Sequence, residues 1–351
     1  MNSPATGSSR PNVSPNVGQD NGHAGSATNS EATSKANSET GSDHLRADVI
    51  PAAGEVSRHR RHPLEARLAA CGDAEQEGGS DCFSRQVRRS FARGAPQYDQ
   101  EALLQQAMAW RLARLCADLP LPDGPCADLG AGTGLLSRAL MRHHHQLARQ
   151  PPLQLDLCPE LLARNPVAAT AGNGGGGGDR GDSGDDGGTG SLVWDLNGGL
   201  PGSLQNAALL ASSFALQWLQ QPSGTLRLWC GSLAPGGWLV LAVPTAGCFP
   251  QWHRAAERAG VPCTALTLPA AGALLQAAEA SGLRLLRGQR LRFSRSRQGG
   301  LQTLRHLQRL GAGANRRSPL SPGQLRRLLA QWPACTPLTW EVLLLIGQRR
   351  P

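Results

Sequence analysis

Pro125-Cys126-Ala127-Asp128-Leu129-Gly130-Ala131-Gly132-Thr133-Gly134, followed by Leu135-Leu136-Ser137-Arg138-Ala139-Leu140, decides how the chain is read. It reads as a strand ending in an acid, a tight glycine turn and the start of an amphipathic helix. Glycine at three alternate positions permits positive φ and leaves room for a ligand against the main chain, beside the exposed N–H groups of a helix N-terminus. A dinucleotide fingerprint would need its third glycine at position 135, where Leu135 stands. A Walker phosphate loop would need a Gly-Lys-Ser/Thr run, and no lysine is near. What remains is D-x-G-x-G-x-G.

Working outward, Leu153-Gln154-Leu155-Asp156-Leu157 reads as the next strand, and an acid at its end is placed to accept hydrogen bonds from ribose hydroxyls. A turn-forming aspartate is the alternative. Residues 168 to 190, with unbroken glycine from Gly174 to Gly178, read as a flexible insertion that cannot repay the entropy of ordering. Ser191 to Leu196 reads as another short strand with an acid, Asp195, at its end; a turn acid closing the strand is the alternative to a binding role. Ala207 to Ser213, running on to Trp218, is the fourth strand, and Trp238 to Val243 follows the turn Leu233-Ala234-Pro235-Gly236-Gly237. Alternating strands and helices with short connections predict an α/β, Rossmann-like doubly wound sheet with its ligand at the carboxyl ends of the strands.

Upstream, residues 1–82 read as a disordered tail and linker, poor in large apolar residues, and the folded domain is expected over 83–351. A helix is expected from about Glu101 to Leu119, with Tyr98, the single tyrosine, just before it. Beyond Pro244 a helix carries Trp252, and others follow at about 270–281 and 301–310. Strands are read at 282–293 and 338–347. The helices within 245–335 have no place in a minimal sheet and are read as a helical substrate cap.

Composition sets bounds. No 18-residue apolar run suggests a membrane helix, and the N-terminus lacks a secretory pattern, so a cytoplasmic protein is expected. Nine cysteines, with no C-x-x-C pair, point to neither a disulfide framework nor a zinc site. His143-His144-His145 point in different directions on a helix, and no metal is expected. Net charge is +9, and from residue 221 onward 17 arginines face three acids, Glu257, Glu279 and Glu341. Such a half attracts anionic partners, whether nucleic acid, acidic protein or membrane, although the chain's single lysine, Lys35, also fits a genome-wide preference for arginine.

The D-x-G-x-G-x-G turn resembles motif I of the class I S-adenosylmethionine-dependent methyltransferases. The order Phe91, Ala95, Tyr98, Ala102, Leu104-Gln105, then the motif, Leu155-Asp156-Leu157-x-Pro159, Asp195, Ser212 to Trp218, Pro235-Gly236-Gly237 and Leu338-Thr339-Trp340 is similar to the malonyl-acyl-carrier-protein O-methyltransferases of biotin synthesis. This resemblance implies S-adenosylmethionine as cofactor and the free carboxylate of a malonyl thioester as acceptor, on an acidic carrier protein or on CoA. It further implies that Asp128, Gly130, Gly132 and Gly134 hold the methionine part and Asp156 with Leu157 the ribose. Asp195 and Leu196 would meet the adenine, and Ser212 would lie where the strand opens to the methyl. Tyr98 and Gln105 would cover the cofactor and position substrate, and Trp218 would line the pocket. A surface aromatic for Tyr98 and a core residue for Trp218 are the alternatives. The glycine insertion and the long tail depart from the pattern, as does Gln251, where the resemblance leads one to expect an acid. Rival readings are a small-molecule or quinone-type methyltransferase on the same fold and a methyltransferase-like RNA-binding or adaptor protein. Few aromatics are interleaved with the arginines, which disfavours RNA.

Overall fold

The computed structural model describes residues 46–50, 79–170, 190–295, 299–334 and 337–351. The chain divides into Met1–Ser42 and Asp43–Pro351, and every described residue belongs to the second unit. Eight strands form one sheet: β1 (Arg46–Ile50), β2 (Cys126–Leu129), β3 (Leu153–Asp156), β4 (Ser191–Val193), β5 (Ala207–Ser213), β6 (Leu233–Pro244), β7 (Leu283–Arg295) and β8 (Leu338–Arg349). Their order is β1-β7-β8-β6-β5-β2-β3-β4. Strands β4, β3, β2, β5 and β6 run parallel, while β8 is antiparallel to both β6 and β7. The order reverses between β2 and β5, the point at which the carboxyl ends of a doubly wound sheet open a crevice. This is the Rossmann-like, doubly wound α/β sheet that the sequence leads one to expect.

The long helices are α1 (Gly79–Gly94), α2 (Leu103–Leu115), α3 (Leu135–His143), α4 (Pro222–Gly231), α5 (Pro250–Ala259), α6 (Ala271–Ala280), α7 (Gly299–Arg309) and α8 (Pro322–Gln331). Alternation along the central strands sorts side chains into two layers, because successive residues of a strand face opposite sides. In β6, Leu239, Leu241 and Val243 pack with Leu226 and Trp229 of α4 and Leu274 of α6. Trp238, Val240 and Ala242 pack on the other side with Met108 and Leu112 of α2 and Leu140 of α3. Both faces are covered, which explains why β5 is buried almost throughout and reads as a continuous apolar run.

A third cluster stands apart from those layers. Phe249, Trp252 and Ala256 of the α5 region join Leu307 of α7, Leu328 and Trp332 of the α8 region, and Leu338. Helix α6 is different, for its small residues Ala271, Ala277 and Ala278 pack on the sheet rather than in this cluster. So one of the helices read as cap is a layer of the core instead.

Two boundaries also differ from the sequence reading. Strand β1 lies within the stretch read as tail and pairs antiparallel with β7 from Arg46 opposite Ser294 to Ile50 opposite Arg290. Helix α1 begins at Gly79, and Phe83, Val87 and Ser90 form its buried face at helical spacing. Most of the expected glycine insertion, and the tail outside 46–50 and 79–82, lie outside the described residues. Residues 168–170 belong to a short helix, Pro166–Thr170.

Candidate functional site

The glycine turn sits between β2 and α3. Gly130, Gly132 and Gly134 have φ of +77°, +54° and +76°. A Cβ on Gly130 would stand 2.2 Å from the Cβ of Ala215, so this position requires glycine for close approach as well as for conformation. The N–H groups of Gly130 and Ala131 donate to the carbonyl of Leu155 at 2.8 and 2.9 Å, which locks the turn to β3.

Beneath the turn runs a buried polar chain. Asn165 Nδ2 donates to Gln154 Oε1 at 3.0 Å, Gln154 Nε2 to Ser137 Oγ at 2.9 Å, and Ser137 Oγ to Asp128 Oδ2 at 2.7 Å. The backbone N–H of Ser137 adds a second donor to the same oxygen at 3.1 Å. Asp128 thus ties the end of β2 to the first turn of α3. Gly134 belongs to this assembly too, since a Cβ there would lie 2.2 Å from Asn165 Oδ1.

Two cavities lie at the carboxyl ends of the parallel strands. The smaller, about 80 Å³, is lined among others by Gly130, Gly132, Asp156, Leu157, Asp195 and Leu196. The structure therefore brings together most of the residues singled out in the sequence. Asp156 Oδ2 accepts from Gly132 N and Oδ1 from Cys158 N, each at 2.8 Å. Asp195 Oδ1 accepts from Asn197 N at 2.9 Å and caps the short 3-10 turn that carries Leu196.

Asp128, Gly134 and Ser212 stand behind this wall rather than in it. Ser212 Oγ donates to the carbonyl of Leu129 at 2.7 Å and clamps β5 to β2. The neighbouring Ser213 lines the cavity, and its buried Oγ has no hydrogen-bond partner among the described residues. Side chains alternate along β5, so a one-residue shift exchanges wall for core. Sequence reasoning also passed over Arg88, Asn197, Phe214 and Ala215, all on the wall. Phe214 has φ of +58°, a conformation rare and strained for a bulky residue, so its place on the wall carries a backbone cost.

The larger cavity, about 280 Å³, shares Phe91, Tyr98, Phe214 and Trp218 with the smaller one. Gln105 faces this larger space, as do Phe249, Trp252, Leu307 and Trp340. Among the described residues no arginine, lysine, aspartate or glutamate lines it; the polar groups are Tyr98, Gln105, Gln217, Thr264, Gln308 and Asn315. Trp218 meets Phe91 edge-on, with ring centroids 5.4 Å apart. Gln251 faces Thr339, donating to its Oγ1 at 2.8 Å and accepting from its N at 3.3 Å, so it fastens α5 to β8.

Burial governs the electrostatics. Desolvation pushes Asp128 up to about 7, against the two Ser137 bonds, with the charge of Asp156 adding to the rise. Asp156 is pushed up to about 6, again by burial, and the N–H groups of Cys158 and Gly132 oppose this. Burial first, then the charges of Asp156, Asp99 and Asp128, raise the Tyr98 phenol above its ordinary range and keep it protonated. Neither Asp128 nor Asp156 has a salt-bridge partner among the described residues. A ligand bringing positive charge would favour their ionised forms, and a ribose could use the lone pairs of Asp156. Acidic and backbone groups on one wall give the smaller cavity the chemistry to receive a cationic nucleoside. No group of three or more His, Cys, Asp or Glu suited to a metal occurs among the described residues. Nor is any helix among them long and apolar enough to cross a membrane.

No family model matches the chain. It is 29% identical over 252 residues to the biotin biosynthesis bifunctional protein BioCD of Bordetella avium (strain 197N), covering 71% of this chain and 49% of the relative. It is 30% identical over 190 residues to the malonyl-[acyl-carrier protein] O-methyltransferase of Alcanivorax borkumensis, covering 49% of this chain and 53% of the relative. The enzyme of that name from Marinomonas sp. (strain MWYL1) is 27% identical over 276 residues, 76% of this chain and 94% of the relative. The chain thus spans about half the length of the first two of these relatives. Among solved structures, the YcgJ protein of Bacillus subtilis aligns with a TM-score of 0.45 at 11% identity, over 70% of this chain and 99% of that one. Geranyl diphosphate methyltransferase in complex with SAM aligns at 0.40 and 13%, over 80% and 94%. With the curated relatives, the resemblance to malonyl-carrier-protein O-methyltransferases stands on alignment as well as on motifs.

Proposed function

We propose that the protein transfers a methyl group from S-adenosylmethionine to the free carboxylate of a malonyl thioester, carried by an acyl-carrier protein or CoA, giving the methyl ester early in biotin synthesis. In this reading it works in the cytoplasm. The observation that carries the proposal is the pair of adjoining cavities: the lining of one suits a cationic nucleoside, and the other is largely apolar and shares Tyr98, Phe91, Phe214 and Trp218 with it. The names of two curated relatives support the substrate, and that of a third supports the pathway.

Bound S-adenosylmethionine supplies a methyl carbon made electrophilic by its sulfonium. In this reading Asp156 and Leu157 receive the ribose, Asp195 and Leu196 the adenine edge, and Gly130 and Gly132 the methionine backbone. Asp128 and Gly134 act at one remove, by fixing the turn. A carboxylate is already ionised at neutral pH, so no side chain has to remove a proton. The protein has to hold the acceptor oxygen in line and strip its water. Fixing geometry in this way supplies about 7–11 kcal/mol in well-oriented cases. Tyr98 lines both cavities and is kept protonated by its surroundings; in this reading it donates a hydrogen bond to the acceptor without competing as a nucleophile.

The absence of a cationic side chain from the larger cavity's lining also suits an uncharged acceptor of quinone type, the rival on the same fold. Methyl transfer to malonyl but not acetyl thioesters supports the proposal; transfer to a quinol or phenol alone overturns it in favour of the rival.

A further inference from the structure

Helix α1 carries Arg85, Arg89 and Arg93 at intervals of four, so they form one stripe along its exposed face. The stripe does not end with the helix. Gly94 and Gly311 let two backbones meet there: a Cβ on Gly94 would lie 2.6 Å from the N of Gly311. That close approach brings Arg93 beside Arg305 and Arg309 of α7, and these three line one shallow groove with Pro96, Gln97 and Gln308. A second groove, sharing Arg93, runs back along α1 past Arg89 and Arg85. No acidic residue lines either one among the described residues. Leu301, 42% exposed and one turn before Arg305, adds an apolar contact at the edge.

Gln308 lines both the arginine groove and the larger cavity, so the stripe leads to the wall of the proposed acceptor space. We infer that the face formed by Arg89, Arg93, Arg305 and Leu301 docks an acidic carrier protein, whose thioester arm enters past Gln308. The inference rests on the malonyl-thioester reading above and adds where the carrier sits. Charge complementarity selects the partner, because clustered arginines of one sign speed and orient the encounter with an acidic surface. Arg309 is partly engaged by Glu101, at 3.5 Å, and is left out of the test.

The test compares R89E/R93E and R305E with the unaltered protein on two substrates, malonyl-carrier protein and the small, carrier-free thioester malonyl-N-acetylcysteamine. Docking at this face predicts a KM for the carrier raised at least tenfold, unchanged kcat at saturation, and a weaker dependence on salt. The small thioester and S-adenosylmethionine affinity should be unaffected, which also reports that the variants are folded, and R89K/R93K should retain most of the carrier's KM. An unchanged carrier KM, or equal loss on both thioesters, overturns the docking surface. Failure of the unaltered protein to methylate either thioester would strike the substrate reading instead. Loss of RNA binding in the variants, with the carrier's KM intact, would reassign the face to nucleic acid.

Discussion

Asp156 is the residue on which most of the site's geometry converges, because its two oxygens hold Gly132 and Cys158 while its edge faces the smaller cavity. Replacing it with Asn keeps the size but removes the charge and one acceptor, and Asp156→Asn should weaken S-adenosylmethionine binding at least tenfold, about 1.4 kcal/mol or more. Isothermal titration checks this; unaltered affinity would remove Asp156 from the ribose site. Asp128 acts differently. Ser137→Ala takes away the 2.7 Å hydroxyl donor and leaves a buried carboxylate less satisfied, so it should cost about 1–3 kcal/mol of stability by denaturant unfolding. Motif spacing made the glycines and Asp156 legible because a turn against a ligand demands those residues at those intervals. It did not reveal that Asp128 serves a buried chain through Ser137, Gln154 and Asn165. The sign was present in Gln154, a polar residue in the middle of an apolar strand, fully buried in the fold. Ser212 and Ser213 could not be told apart by composition, since which face of β5 opens to the cavity is set by its pairing with β2 and β6.

The segment from α1 to α2 covers both cavities and is fastened to the elements around it. Asp99 accepts from Thr133 Oγ1 at 2.6 Å, which binds the Tyr98 turn to the glycine cradle. Glu101 pairs with His306 Nδ1 at 2.6 Å and with Arg309 at 3.5 Å, which binds the same turn to α7. Tyr98 is therefore positioned from two sides by partners far away in sequence. Glu101→Gln should lower stability by about 1.5–3 kcal/mol, the range for hydrogen bonds to a charged group, and raise the acceptor's KM more than it alters cofactor affinity. Steady-state kinetics beside a cofactor titration separates the two effects; equal losses in both would mean that the tie is not specific to the acceptor side. The central strands were readable because their apolar runs are buried on both faces. Helix α1 was not, because its small buried face, Phe83, Val87 and Ser90, is interrupted by arginines and gains its partners from residues far along the chain, Trp218, Leu266 and Ala314. Helix α6 was read as cap because a sequence does not say which apolar surface a helix of alanines will meet.

At the scale of the whole molecule, the two raised carboxylates link stability and ligand binding to pH. Both have pKa values near 7 and 6 in the fold, above the roughly 3.9 of an unfolded aspartate. The fold binds more protons than the unfolded chain between those values, so this contribution to stability is complete below pH 4 and is lost as pH rises through about 6 to 7. The Tm of the cofactor-free protein should therefore fall from pH 5 to pH 8 on this account. Binding of the cationic cofactor should run the other way, tightening about tenfold between pH 5.5 and 7.5 with release of protons. Affinity flat across that window, measured by calorimetry in buffers of different ionisation enthalpy, would contradict the charge pairing. The central claim is that this fold brings a sulfonium methyl and a malonyl carboxylate into line across the two cavities. Single-turnover transfer of labelled methyl from S-adenosylmethionine tests it most directly, with malonyl-carrier protein, malonyl-CoA, acetyl-carrier protein and a tRNA pool as acceptors. The account predicts base-labile methyl ester on the malonyl thioesters and no label on the acetyl thioester or RNA; cofactor binding without transfer to any malonyl thioester would contradict it.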